Sequence, residues 1–235
     1  MKLAYRESGS GEPLVFLHSG LETSSTDFIY QQKYFSQFYK VLAFDLRGHG
    51  DSQSTNLSNF FEDSVQDLFE TLSEIGITQI HLVGASLGAL VAIYFSNRHP
   101  RVTKSLIISG VTPTKPENWN DLHLRQKENQ RMLLENQETV NYFNTLHKSD
   151  WRELLTLAKD EDWYPFEETS KLKDNKCPVL IISGNQLPSE TASHAIYKGV
   201  EHIQVEILPN AGHLVHQQQP ELYTQSVTRF LNDSV

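Results

Sequence analysis

The chain has 235 residues, with 20 Lys and Arg against 29 Asp and Glu, a formal net charge of −9, and 38% hydrophobic residues. This is the composition of a globular domain long enough to bury a core without covalent staples. The acidic balance excludes nucleic acid and anionic membrane surfaces as expected partners, and the single cysteine, Cys177, excludes an intrachain disulfide or a cysteine-based zinc site.

In chain order, Met1–Ser8 lacks the apolar stretch of a signal peptide, and no apolar run approaches the ~20 residues of a membrane span. The expectation is therefore a cytoplasmic protein. Leu14-Val15-Phe16-Leu17 and Val41-Leu42-Ala43-Phe44 read as short strands. Phe61, Val65, Leu68, Phe69, Leu72 and Ile75 fall on one face of a helix. Ile80-His81-Leu82-Val83 is a third strand, residues 87–98 a helix closed by Pro100, and Leu106-Ile107-Ile108 a fourth strand. Apolar runs alternating with helices predict β-α-β units and a mostly parallel sheet with helices on both faces.

The alternation stops at Thr112-Pro113-Thr114-Lys115-Pro116. Residues 119–137, 138–148 and 150–160 read as polar helices, so residues 112–170 form a helical insertion between a first core part (1–111) and a second (171–235). The second part reads as a strand at 178–184, a helix near 189–199, a strand near 203–208 and a last helix over 214–232. The insertion holds all three Trp (119, 151 and 163), and its twelve Asp and Glu exceed its seven Lys and Arg. Its aromatic residues either pack it onto the core or roof an apolar pocket. The run Asp160-Glu161-Asp162 reads as a solvated surface. Cys177, before Pro178 and an apolar run, reads as a small buried hydrophobe.

Three strand ends carry candidate chemistry. Gly84-Ala85-Ser86-Leu87-Gly88 is a G-x-S-x-G between a strand and a helix. Its glycines let strand and helix approach while Ser86 sits on a sharp turn. The Leu87 amide opens the helix and is placed to donate to an oxyanion. His213, after the last strand, is the candidate base for Ser86. His18-Ser19-Gly20 follows the first long strand, and the Gly20 amide is a second candidate oxyanion donor.

These residues together resemble the α/β-hydrolase superfamily. Leu14–Gly20 is similar to the strand leading to the family's oxyanion turn, with Ser19 where glycine is usual. Asp45-Leu46-Arg47-Gly48-His49-Gly50-Asp51-Ser52 is similar to its D-x-R-G-x-G-x-S loop, and Pro209–His213 to the turn bearing its histidine. The resemblance, to small bacterial esterase-like members, implies an α/β-hydrolase fold with the insertion as a helical lid. It also matches residues 2–8 to the family's second strand, leaving the usual first strand missing.

One departure stands out. Where the family carries its acid, Gly184-Asn185-Gln186-Leu187-Pro188-Ser189-Glu190 places Leu187. The alternative position, Gly110-Val111-Thr112-Pro113, has no carboxylate either. Glu190 is the nearest candidate, although Ser189 as an N-cap with Glu190 complementing the helix dipole explains the same residues structurally. Asn185 or Gln186 through a carbonyl oxygen, or a carboxylate from the lid, are further candidates; Asp45 and Asp51 read as structural.

The expectation is a cofactor-free, metal-free serine hydrolase cleaving a small or medium carboxylic ester. Ser86 is the nucleophile, His213 the base, Glu190 the candidate acid, and Gly20 and Leu87 the oxyanion donors. The alternatives are a carbon–carbon bond hydrolase or lyase using the same Ser-His pair, and a ligand-binding or signalling module with weak turnover because the usual acid is absent.

Overall fold

A computed structural model describes residues 1–160 and 162–233. Seven strands form one sheet in the order β1-β3-β2-β4-β5-β6-β7. They are β1 (Tyr5–Ser8), β2 (Pro13–Leu17), β3 (Lys40–Phe44), β4 (Ile80–Ala85), β5 (Thr103–Ser109), β6 (Val179–Gly184) and β7 (Ile203–Leu208). Only β1 runs antiparallel, pairing with β3 at the sheet edge.

The continuous apolar runs exist because helices cover both faces. Side chains alternate between two cores: Val15 and Leu17 enter one while Leu14 and Phe16 enter the other, and β6 divides the same way into Val179/Ile181 and Leu180/Ile182. On the first face lie α2 (Phe60–Glu74) and α3 (Leu87–Arg98). Helix α3 is buried from Gly88 to Ser96, as a helix apolar on nearly all sides must be. The second face is covered by α1 (Ile29–Phe35) and, from the chain's end, by a long C-terminal helix.

Helix α1 is absent from the sequence reading. It has seven residues, and its N-cap is Phe28 in the left-handed region (φ 54°) with no side-chain cap, so it shows none of the usual start signals.

Between β5 and β6 the chain forms α4 (Trp119–Glu135), α5 (Gln137–Leu146), α6 (Arg152–Leu157) and α7 (Phe166–Ser170), followed by a 3₁₀ turn at Lys171–Asp174. Of the acidic run there, Asp160 and Asp162 are exposed, whereas Glu161 lies outside the described residues. Cys177 is buried, and burial pushes its thiol up to about 12.

The region read as one helix over 189–199 is instead a single turn, α8 (Pro188–Thr191), and a 3₁₀ stretch, Ala192–Tyr197. Its N-cap is Leu187, with Pro188 at the first position and no side-chain cap, so Ser189 is not a capping residue. The last helix is likewise two, α9 (Val215–Gln218) and α10 (Pro220–Asp233), separated at Gln219, whose successor Pro220 disfavours helical geometry before it. Among the described residues no helix is long and apolar enough to cross a membrane.

One histidine ties the helical segment to the core. His147, just after α5, accepts the Gly50 amide on Nδ1 (2.9 Å) and contacts the Leu21 carbonyl through Nε2 (3.0 Å). The first contact needs an unprotonated Nδ1, so Nε2–H is the donor to Leu21 and the ring is neutral. Burial, opposed by the Leu21 carbonyl and aided by nearby His18, lowers its pKa from 6.5 to about 4. Burial also lowers the pKa of His18 and His49.

A folded-state value below the unfolded one means that the unfolded chain binds the proton first. The contribution of His147 to stability is therefore complete above about pH 6.5 and is lost as pH falls toward 4. Thermal unfolding followed from pH 7.5 to 4.5 is expected to show a falling midpoint. His147→Gln, which keeps one donor and one acceptor without titrating, should fall less steeply; equal slopes would assign the acid sensitivity elsewhere.

Candidate active site

The turn between β4 and α3 holds Ser86 at φ 50°, ψ −117°, a sparsely populated conformation for a residue with a Cβ. Close packing sustains it. A Cβ on Gly84 would lie 2.5 Å from the Gly88 carbonyl oxygen, and one on Gly88 would lie 2.2 Å from the Leu17 oxygen. Neither glycine tolerates a side chain without backbone movement.

His213 Nε2 lies 2.8 Å from Ser86 Oγ, and His213 Nδ1 lies 2.6 Å from Glu190 Oε1. With Nδ1–H donating to the carboxylate, Nε2 is the acceptor for the Ser86 hydroxyl. Glu190 is 4% exposed, whereas the His213 side chain is 46% exposed on the cavity side. The three residues expected to act together are thus brought into one hydrogen-bonded line.

The other acid candidates are placed differently. Asn185 and Gln186 are exposed, and their amides bond to the Leu208 and Ala211 carbonyls, pinning the end of β6 to the His213 turn. Gly184 allows that approach, since a Cβ there would lie 2.1 Å from the Ala211 oxygen. The one-turn helix α8 then carries the chain back so that Glu190, three residues past Leu187, reaches the imidazole. Gly110, in the alternative acid position, instead makes room for the ring: its φ is +67° and a Cβ would lie 3.0 Å from His213 Cε1. Asp45 is structural, accepting the Ser24 and Asp51 amides at 2.7 and 2.9 Å, and Asp51 pairs with Lys148 at 3.1 Å.

Gly20 and Leu87 both line the cavity above Ser86, and a Cβ on Gly20 would sit 3.8 Å from Leu87 Cβ. The Ser19 carbonyl is held by the Glu22 amide (3.1 Å) and by His18 Nδ1 (2.8 Å). Because the peptide is planar and trans, the Gly20 N–H points opposite to that carbonyl. His18 is set in turn by the Leu46 amide on its Nε2 (2.9 Å). Among the described residues, neither the Gly20 nor the Leu87 amide has an acceptor within the protein.

A second buried carboxylate, not singled out in the sequence, braces this turn. Asp27 Oδ2 accepts the Ser19 amide and hydroxyl, each at 2.8 Å, while Oδ1 takes His216 Nε2 at 2.6 Å and Gln217 Nε2 at 2.9 Å. Both the Asp27 and His216 side chains are fully buried, and His216 stacks on Phe28 with centroids 4.1 Å apart. Burial opposes ionisation of Asp27. The His216 contact and the Ser19 and Gln217 donors outweigh it and hold the carboxyl well below the usual carboxylate range. One carboxylate thus joins the Gly20 turn to the helix that follows His213.

The cavity has a volume of about 370 Å³. Leu87, Leu90, Leu154 and Leu155 supply apolar wall, and Trp119, Trp163 and Tyr164 come from the helical segment. The third tryptophan, Trp151, is packing: it is 1% exposed against Phe143, and its indole N–H donates to Asn144 Oδ1 at 2.9 Å. Among the described residues no group of three or more His, Cys, Asp or Glu is arranged to hold a metal ion.

The fold and this site define an α/β-hydrolase-type enzyme. The model of the alpha/beta hydrolase family matches residues 14–225, and the chain belongs to that family. It is 24% identical over 257 residues to the (E)-2-((N-methylformamido)methylene)succinate hydrolase of Acinetobacter baylyi, covering 97% of this chain and 93% of that protein. It is 26% identical over 240 residues to an uncharacterized carboxylesterase, nap, of Bacillus subtilis, covering 94% and 79%. Among solved structures, NosK from Streptomyces actuosus superposes with a TM-score of 0.83 at 22% identity, covering 95% of this chain and 98% of that one.

Removing a carboxylate held by this many buried partners leaves them unsatisfied, a loss of about 3–5 kcal/mol. Asp27→Ala is expected to lower the unfolding free energy in urea by that amount. A loss under about 1 kcal/mol would show that the turn is held by other contacts.

Proposed function

We propose that the protein is a serine hydrolase that cleaves a carboxylic ester of small or medium size through an acyl-enzyme on Ser86. The observation that carries this reading is the line Glu190–His213–Ser86, at 2.6 and 2.8 Å, beneath a cavity faced by the Gly20 and Leu87 amides.

In this mechanism His213 Nε2 takes the Ser86 proton as Oγ attacks the carbonyl carbon, and Glu190 steadies the imidazolium that forms. The Gly20 and Leu87 amides hold the oxyanion, with the N-terminus of α3 behind one of them. His213 then protonates the leaving alcohol. Water, activated by the same imidazole, attacks the acyl-enzyme and releases the acid and Ser86. The helical segment 112–170 serves as a lid on the core formed by 1–111 and 171–235, with Trp119 and Trp163 over the acyl pocket.

The module reading rests on an absent acid, and Glu190 at 2.6 Å from His213 supports the hydrolase reading over it. The relative from Acinetobacter baylyi is named for a succinate, whose carboxylates call for cations. Among the described residues lining this cavity there is no Lys or Arg, which favours an uncharged ester here.

A fluorophosphonate probe at neutral pH is expected to label Ser86 in the folded protein, and mass spectrometry locates the adduct. In a serine protease the triad aspartate is worth roughly 10⁴ in turnover. Glu190→Gln is accordingly expected to lower kcat for p-nitrophenyl acetate by at least about 100-fold, with the melting point held. An unlabelled Ser86 would sink the nucleophile assignment; a Glu190→Gln loss below about threefold would remove the acid.

A further inference from the structure

Helix α4 has its polarity inverted over part of its length. Its buried and half-buried positions are Trp119, Leu122, His123, Gln126, Gln130 and Leu133, spaced three and four apart as one inward face. Two of them are glutamines lining the cavity that holds Ser86. On the outward side of the same helix, Leu124 and Met132 are 64% and 51% exposed. The requirements of packing would place these residue types the other way round.

His123, also inward, is satisfied by the Ala158 carbonyl at 2.9 Å. Neither glutamine carboxamide has a hydrogen-bond partner among the described residues. A ligand that fills the cavity strips water from both, which is unfavourable unless it supplies partners. Among the described residues the one carboxylate on the lining is Glu190, bonded to His213, and no Lys or Arg lies there.

We infer that Gln126 and Gln130 form a subsite for an uncharged group that both donates and accepts hydrogen bonds, best matched by a secondary amide, carried in the acyl part of the substrate away from the scissile ester. Two carboxamides one helical turn apart, about 6 Å between Cβ atoms, each offer an N–H and a C=O. A secondary amide lying across them meets a donor and an acceptor. A purely alkyl chain leaves both carboxamides dry, and a carboxylate finds no Lys or Arg among the described residues on the lining of this cavity. This subsite rests on the reading of Ser86 as the nucleophile of an ester hydrolase and names the substrate class of that site.

The test compares three p-nitrophenyl esters of equal chain length: hexanoate, N-acetyl-β-alaninate and hydrogen adipate. Taking the ratio of kcat/KM within each protein, and then between wild type and Gln126→Leu/Gln130→Leu, cancels the esters' intrinsic reactivities. The wild type is expected to favour the N-acetyl-β-alaninate, with the adipate poorest. In the double variant the amide-to-alkyl ratio should fall on the order of tenfold or more, at roughly fivefold per lost hydrogen bond, chiefly through KM. A ratio within twofold of wild type overturns the subsite.

Binding reads the same preference without turnover. Fluorescence of Trp119 and Trp163 is titrated with 2-heptanone and with N-(3-oxobutyl)acetamide, the matched ketones. If the wild type cleaves none of the esters, the ester reading fails, and the ratio of the two Kd values in wild type and variant still decides the subsite. If the esters are cleaved and neither ratio changes, the subsite fails while the ester reading stands. Circular dichroism and the melting midpoint establish that the variant is folded.

Discussion

The structure depends on the turn that holds Ser86 with a positive φ at the end of a buried strand. Such a conformation is unfavourable by itself and persists only where the surroundings leave no alternative. Here Gly84 and Gly88 bring strand and helix so close that their backbones nearly touch, and Gly88 also abuts the end of β2. The same device recurs at neighbouring strand ends. Gly110 after β5 gives room to the His213 ring, and Gly184 at the end of β6 gives room to the turn before it. Four missing side chains let the ends of four parallel strands and their loops converge on one point.

Convergence alone leaves loops free to drift, and buried polar contacts remove that freedom. Asp27 gathers the Ser19 turn and His216 into one hub, although Asp27 and His216 stand 189 positions apart in the chain. His18 fixes the peptide whose N–H belongs to Gly20, and His147 fastens the helical segment to Gly50 and Leu21. The His18 and His147 rings are buried, and both nitrogens of each meet backbone groups, so neither ring keeps a dry polar atom. These contacts require His18 and His147 to remain neutral, and burial lowers the pKa of both.

How much of this was legible in the sequence follows from the range over which each interaction acts. Strands buried on both faces show as continuous apolar runs, so the central strands and α3 could be read locally. β1 could not be found that way: Tyr5–Ser8 is an edge strand with one half-buried residue, and it emerged only through family resemblance. Helix α1 lacks a capping side chain, and Ser189 mimicked a cap that the fold does not use. Ser86 sits in a motif whose glycines have local steric reasons, and His213 in a turn directly after the last strand. Glu190 does not, because its place beside His213 depends on a one-turn helix redirecting the chain, and residue spacing carries no record of that direction. The Asp27–His216 hub leaves no local trace at all.

The helical segment obeys a different rule from the core. In the central strands most side chains are apolar and buried on one face or the other. In α4, two glutamines face inward while leucine and methionine face water, so burial does not select residue type there. A helix built for stability alone would reverse that arrangement and gain the transfer free energy of each apolar side chain. Forgoing that gain in a segment that lines the cavity sets α4 apart from the central strands, whose apolar side chains are buried. The strands and glycines fix the positions of Ser86 and His213, and the helices above them, tied to the core through His147, Ser149 and Glu168, supply much of the cavity wall.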